Sequence, residues 1–218
     1  MRFASILLKA AVLVPVVYYG VLIFAAWMWP GYDHATQTIA TLGSPTSPKA
    51  QIFNYGVIAA GGLIILGSLG VLLGMLRLGA NIVWAFLTMV SLVVFGASLV
   101  QGGLHPAPDA MHDAYRLGLA IHAAPLLMFL GLAGRSDMGG LKALLFIDFL
   151  ALAALWAVIN NIGGLDLVQP AVSGWWERGY SVAAILWIAL AAIGIDGRLS
   201  AKTNRSRDEM RRVMFAEG

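Results

Sequence analysis

The sequence predicts an all-α polytopic membrane bundle of six helices, from three observations. Of its 218 residues 60% are hydrophobic and only 11% charged, with a mean hydropathy of +0.81. Soluble domains carry about 25% charged residues, so the chain has too little charge to clothe a water-facing surface. Apolar stretches recur at about 10–29, 52–76, 80–101, 116–134, 141–161 and 179–196, each close to the roughly 20 residues that a membrane-crossing helix needs. None alternates as a barrel strand does, and unpaired backbone groups cost several kcal/mol in lipid, so each stretch is expected to be a helix.

The first stretch follows Arg2 and Lys9 and runs from Ala10 to Trp29, longer than the 7 to 15 apolar residues of a signal peptide. It is expected to be a retained anchor, kinked at Pro15. The second carries Gly56, Gly61, Gly62, Gly67, Gly70 and Gly74, and the small-xxx-small spacing of the last pair lets helix backbones approach closely. The link to the third is about three residues and that between the fourth and fifth about six, so each pair is expected to be an antiparallel hairpin. The bundle domain is placed at 1–197, with a basic tail at 198–218.

Eleven of the 14 Lys and Arg residues fall on one side of this arrangement: Arg2, Lys9, Arg77, Arg135, Lys142 and the six of the tail (Arg198, Lys202, Arg205, Arg207, Arg211, Arg212). Lys49, Arg116 and Arg178 fall on the other. The positive-inside rule then places both termini in the cytoplasm, in a bacterial inner membrane. Trp27, Trp29, Tyr32, Tyr115, Trp175, Trp176 and Tyr180 cluster at the opposite helix ends, where amphipathic rings favour the interface. The tail's six basic and three acidic residues (Asp208, Glu209, Glu217) give 6 − 3 = +3, the whole net charge. About 1 kcal/mol per basic residue near anionic lipid makes headgroups the expected partner of the tail, with Met210, Val213, Met214 and Phe215 as a short amphipathic turn.

All four histidines and five acids fall on the outer side: Asp33, His34, His105, Asp109, His112, Asp113, His122, Asp166 and Glu177. Asp109 follows Pro108 as an N-cap does, Asp113 sits three residues before Arg116, and Glu177 suits a helix N-terminus; Arg178 is expected to snorkel to headgroups. His122 lies about 10 Å below the outer surface at 1.5 Å per residue, and Asp148 at a similar depth from the other side. An ionisable group at such depth faces the bundle or a wet cavity. Asn54, Gln101, Asn160 and Asn161 need partners for their amides, and with His122 they outline a polar pocket under the outer loops.

Thr38-Ile39-Ala40-Thr41-Leu42-Gly43 followed by Phe53-Asn54, Pro108-Asp109 followed by His122 and Phe129, and Gly174-Trp175-Trp176-Glu177-Arg178 with Trp187 resemble the six-helix bacterial family known as domain of unknown function nine-nine-eight. The resemblance spans nearly all six helices, and the matching positions are Asn54, Asp109, His122, Glu177 and Arg178. The family's Ser-Asp before Leu-Gly reads here as Ala40-Thr41. The resemblance implies an integral membrane protein and brings no established reaction.

Three functions compete. The first is a pocket for a lipid or small ligand, formed by Asn54, Gln101, Asn160, Asn161 and Arg178. The second is a membrane hydrolase acting on a lipid or lipid-linked substrate, with His105, His112, His122 and Asp109 as ligands for zinc and His122, Asp109 and Glu177 as catalytic candidates. It is loosely similar to the alkaline ceramidases, whose last-helix His pair is missing here. The third is a scaffold. With no Cys in the chain, disulfides and attached heme are excluded; heme ligation across the membrane is disfavoured because no His lies on the inner half, and no nucleic-acid motif is present. The topology makes a direct prediction for a chain without native thiols. A Cys at Ser47 should react with an impermeant reagent on intact cells and a Cys at Ser206 should not; the reverse pattern contradicts the orientation.

Overall fold

The computed structural model describes residues 2–164 and 166–216, and among them all regular structure is helical. The helices are α1 (Arg2–Trp27), α2 (Ala50–Arg77), α3 (Ile82–Leu104), α4 (Ala124–Gly131), α5 (Gly139–Ile159) and α6 (Ser173–Ala216), with 3-10 helices at Ile39–Gly43, Leu117–His122 and Ser136–Met138. Five of the six are long and apolar enough to cross a membrane. The side chains of Arg207, Arg211, Arg212 and the tail's apolar residues lie outside the described set. The tail's backbone continues α6, which runs unbroken for 44 residues, or about 66 Å at 1.5 Å per residue.

Glycine sets the distances between the central helices. A Cβ on Gly70 would lie 2.6 Å from the Leu8 amide nitrogen, and one on Gly67 would lie 2.7 Å from the Ala11 Cβ, so α1 and α2 touch backbone to backbone. On the opposite side of α2, a Cβ on Gly61 would lie 2.5 Å from the Gly96 carbonyl, and one on Gly96 would lie 2.7 Å from the Gly61 carbonyl. The α2 glycines therefore serve packing, as small residues do where lipid supplies no hydrophobic drive between helices. Gly62 alone of the six faces open space. α6 completes the core with Trp187, Ile188, Ala191 and Ile195, all buried, whereas α5 buries only Leu145 and Leu152.

The α2–α3 hairpin closes as expected. Gly79 takes a left-handed φ of 80°, its amide donates to Leu76, and Ala80 donates to Met75 at 3.0 Å, the two bonds of a Schellman cap. Asn81 then caps α3, its Oδ1 accepting from the Val83 amide at 3.0 Å.

The fourth stretch differs from the continuous span expected over 116–134. Leu117–Gly131 is a 3-10 helix followed by eight residues of α-helix, with Pro125 in the first turn of α4. Proline has no amide hydrogen, and its ring clashes with the carbonyl four residues earlier, here Ile121, so the preceding turn tightens to 3-10. At about 2.0 Å per residue for the first part and 1.5 Å for the second, the segment rises about 24 Å, short of the ~30 Å hydrocarbon core. By contrast α1 continues past Pro15 as one helix.

Two ends of the bundle result. One gathers Arg77, Arg135, Lys142, Arg198, Lys202 and Arg205. The other carries the long connections 28–49, 105–123 and 160–172. Ser47 is 8% exposed at the long-loop end, so the neighbouring exposed Thr46 is the better probe position. A second prediction concerns packing. Gly70→Leu, which drives a side chain into the α1 backbone, should destabilise the protein by at least the 1 to 3 kcal/mol typical of overpacking, whereas Gly62→Leu should leave its melting temperature nearly unchanged. Equal losses would contradict the helix faces assigned here.

Candidate functional site

At the long-loop end the connection from α1 to α2 folds back over the bundle and is fastened to the first turns of α6. Within it, Asp33 accepts from the Ala35 amide at 2.9 Å and the Thr36 hydroxyl at 2.8 Å, and these donors hold its carboxyl below the usual carboxylate range. The fastening is built from Gly174, Glu177 and Arg178. The Gly174 amide donates to the Ala35 carbonyl at 2.8 Å. A Cβ there would lie 2.5 Å from the His34 carbonyl and 2.6 Å from that of Gln37, so only glycine lets the strap descend this far.

Arg178 fills the space beneath those carbonyls. Its Nη1 donates to the carbonyls of His34 at 2.9 Å, Gln37 at 3.0 Å and Gly174 at 2.8 Å, and its Nη2 donates to the Tyr32 hydroxyl at 2.6 Å. The guanidinium also lies 5.6 Å from the centre of the Tyr32 ring and 6.0 Å from that of Trp175, within cation–π range. Tyr32 in turn donates to the Thr38 carbonyl at 3.0 Å. Rather than snorkelling, Arg178 turns inward and gathers the strap.

Glu177 sits in the second turn of α6 and does not cap that helix. Its Oε2 accepts from the Ile39 amide at 2.5 Å. This is the first amide of the 3-10 helix Ile39–Gly43, whose own N-cap, Thr38, makes no side-chain capping bond. A helix start leaves such donors orphaned, and Glu177 satisfies this one from a distant part of the chain. At the other end of the 3-10 helix, Asn54 Nδ2 donates to the Gly43 carbonyl at 3.0 Å, and its Oδ1 lies so close to Gly43 that a Cβ there has no room.

Under the strap lies a cavity of about 300 Å³ between α1, α2, α3 and α6. Its polar lining is Tyr18, Asn54, Ser98, His112, Asp113 and Glu177; Ile39, Phe53, Val57 and Leu99 supply apolar walls, and among the described residues no Lys or Arg borders it. His112 Nδ1 is 2.8 Å from the His105 carbonyl. A carbonyl only accepts, so Nδ1 carries the hydrogen and Nε2 of the neutral ring is an acceptor.

The other candidates separate. His105 Nδ1 pairs with Asp109 Oδ2 at 3.2 Å, while Asp109 Oδ1 accepts from the Met111 amide at 2.8 Å; that amide and the histidine hold the Asp109 carboxyl below its usual range. Asp109 thus closes a turn and does not begin an α-helix. Gln101 Nε2 donates to the Met111 carbonyl at 2.6 Å. Asn161, at a left-handed φ of 52°, accepts from the Asp166 amide at 2.9 Å. Both amides shape loops. Asn160 Nδ2 returns to the Trp156 carbonyl at 2.8 Å and, with Tyr180, Arg116 and Asp113, borders a second cavity of about 290 Å³. His122 bonds the Leu119 carbonyl through Nδ1 at 3.0 Å and meets the Tyr180 hydroxyl through Nε2 at 3.3 Å, beside Trp156. Asp148 Oδ2, inside α5, is buried with no hydrogen-bond partner among the described residues.

These residues do not assemble a zinc centre. His105, Asp109 and His112 share a loop, but His105 Nδ1 and Asp109 Oδ2 are spent on each other and His122 Nε2 meets Tyr180 instead. Among the described residues no group of three or more His, Cys, Asp or Glu is placed to hold a metal ion. Sequence reasoning overlooked Tyr18, and placed Tyr32 only as an interfacial ring and Gly174 only within a motif. Tyr18 and Tyr19 did offer a signal, because two hydroxyls inside an apolar stretch need partners. Tyr19 finds one in the Ser181 carbonyl at 2.9 Å.

The family described as "Protein of unknown function (DUF998)" matches residues 12–194. No curated protein and no solved structure matches the chain. The clamp makes its own prediction. Arg178→Lys keeps the charge but loses the planar fork, and should cost about 2 to 4 kcal/mol, since bonds to charged groups contribute about 1.5 to 3 kcal/mol each and a lone ammonium recovers some of them. Thermal unfolding in detergent should show a drop of several degrees; an unchanged midpoint would contradict the clamp.

Proposed function

We propose, from the premise that the chain belongs to the family described as "Protein of unknown function (DUF998)", that this multi-pass membrane protein binds a small ligand in the cavity under the α1–α2 strap. The proposed ligand has an apolar body and a head rich in hydrogen-bond donors, such as a primary amine or a cluster of hydroxyls. One observation carries this reading: the cavity places Asp113, Glu177 and the His112 imidazole around one space with no Lys or Arg among the described residues on its border. Two carboxylates and an acceptor nitrogen around one space favour a cationic or donating head over an anionic one. The volume of about 300 Å³ lies at the small end of ligand sites, which span roughly 300 to 1,000 Å³. The apolar walls complement a short hydrocarbon body.

The uneven Lys and Arg distribution supports placing this cavity on the outer side of a bacterial inner membrane, with both termini in the cytoplasm. The strap then meets the ligand's compartment directly. A hydrolytic role receives no support from the donor set, and the cavity is read as a binding site.

Gly102 offers a test that leaves the clamp intact. A Cβ there meets the His112 ring at an ordinary 3.5 Å, so Gly102→Leu should extend into the cavity. Purified protein screened by thermal shift should be stabilised by apolar primary amines or polyols and not by matched carboxylates. Gly102→Leu should remain folded and abolish that stabilisation, and Asp113→Asn should weaken the response to amines at least several-fold. Stabilisation by carboxylates that Gly102→Leu removes would contradict the proposal.

A further inference from the structure

The opposite end of the molecule holds a further concave site. A groove of about 310 Å³ lies between the turn that joins α4 to α5 and the face of α6 where its apolar stretch ends, bordered by Leu78, Arg135, Asp137, Arg198, Lys202 and Arg205. Four cations face one carboxylate, 4 − 1 = +3. Part of this charge is structural. Arg135 Nη1 donates to the Leu78 carbonyl at 2.6 Å, and its Nε and Nη2 clasp Asp137 at 3.0 Å each. Lys202 Nζ donates to the Arg77 carbonyl at 3.2 Å. These bonds join the end of α2, the α4–α5 turn and α6, so the groove is held in shape by its own cations.

Arg198 and Arg205 remain in excess. Arg198 reaches Asp137 only at 4.0 Å, with 47% of its side chain exposed; Arg205 has no hydrogen bond or ion pair among the described residues. They lie two helical turns apart on α6 and border the same groove. Asp137 is shared with Arg135 and meets Arg198 only at its far edge, so the two guanidiniums are under-compensated, and an oxyanion between them removes that cost. The phosphate group fits the chemistry, since guanidinium forks grip phosphate oxygens in pairs.

Position supplies the rest. From Ser173 to Arg198 α6 climbs 25 residues, about 38 Å at 1.5 Å each, more than the ~30 Å hydrocarbon core. At this level α2 ends at Arg77 and α5 begins at Gly139. The groove therefore sits where headgroups lie. We propose that the groove framed by Arg135 and Asp137 on one side and Arg198 and Arg205 on the other is a phosphate site that takes the headgroup phosphate of an anionic phospholipid. This is a localised site, distinct from diffuse attraction of the basic tail, and it fixes the level at which α6 leaves the membrane.

The test is lipid retention by the full-length protein. Nanodiscs of phosphatidylcholine mixed with phosphatidylglycerol, followed by detergent extraction and native mass spectrometry, should yield wild type carrying phosphatidylglycerol well above its share of the mixture. R198Q/R205Q should lose that excess several-fold, while Arg207→Gln combined with Arg211→Gln, which lowers the tail charge equally, should retain it. Enrichment that the two double variants reduce alike would overturn the site in favour of diffuse attraction, and no enrichment in wild type, a result that needs no variant to fold, would overturn it outright. Inorganic phosphate separates the sources: it should compete only at high concentration, and full displacement at low concentration would assign the groove to a soluble phosphate and overturn the lipid assignment.

Discussion

The long-loop end depends on one buried-side interaction, the pairing of the Glu177–Arg178 dipeptide with the strap between α1 and α2. A chain segment of over twenty residues at a membrane surface would ordinarily stay loose, because ordering each residue costs about 1 to 2 kcal/mol of conformational free energy. Here one guanidinium collects three carbonyls and a tyrosine hydroxyl, and the adjacent carboxylate takes the first amide of the 3-10 helix. Backbone groups that water would otherwise satisfy are satisfied by two neighbouring charges of opposite sign. The charges also suit each other, so neither is left uncompensated at the edge of the low-dielectric region. Without this pairing the cavity would have no roof.

The clamp works only because the helices beneath it are close. Glycine contacts bring α1 onto one side of α2 and α3 onto the other, which places Tyr18, Asn54 and Ser98 around a single space. α6 packs against the same core through Trp187 and Ile195, and this fixes where Glu177 and Arg178 emerge. Close packing, a rigid final helix and a fastened strap are thus successive conditions for one cavity. At the other end, α6 is tied to α2 through Lys202 and to the α4–α5 turn through Asp137, so both ends of this helix are held by polar contacts.

Hydropathy made the helices legible, because lipid imposes a long apolar run on every crossing segment. It misjudged the fourth stretch, where composition satisfies the length rule but Pro125 breaks the hydrogen-bond ladder that length presupposes. At the site, Asn54 was legible as an amide in need of a partner, and Glu177 and Arg178 as charged residues at the head of a helix. Their roles were not legible. A carboxylate in the first turns of a helix has a sufficient local explanation in capping, and nothing in the order of residues shows that its partner is an amide 138 positions away. The amides of Gln101, Asn160 and Asn161 have nearby partners that residue order does not show: Gln101 holds the loop after its own helix, Asn160 and Asn161 bond close by in the chain, and Asn54, Asn160 and His122 border three separate cavities.

The central claim is that Glu177 and Arg178 hold the strap closed over the cavity, and amide hydrogen exchange in detergent or nanodiscs tests it most directly. The amides of Ile39 and Gly174, which donate to Glu177 and Ala35, should exchange far more slowly than that of Thr46, and as slowly as amides within the long helices. Exchange at Ile39 and Gly174 as fast as at Thr46 would show an open strap and contradict the account.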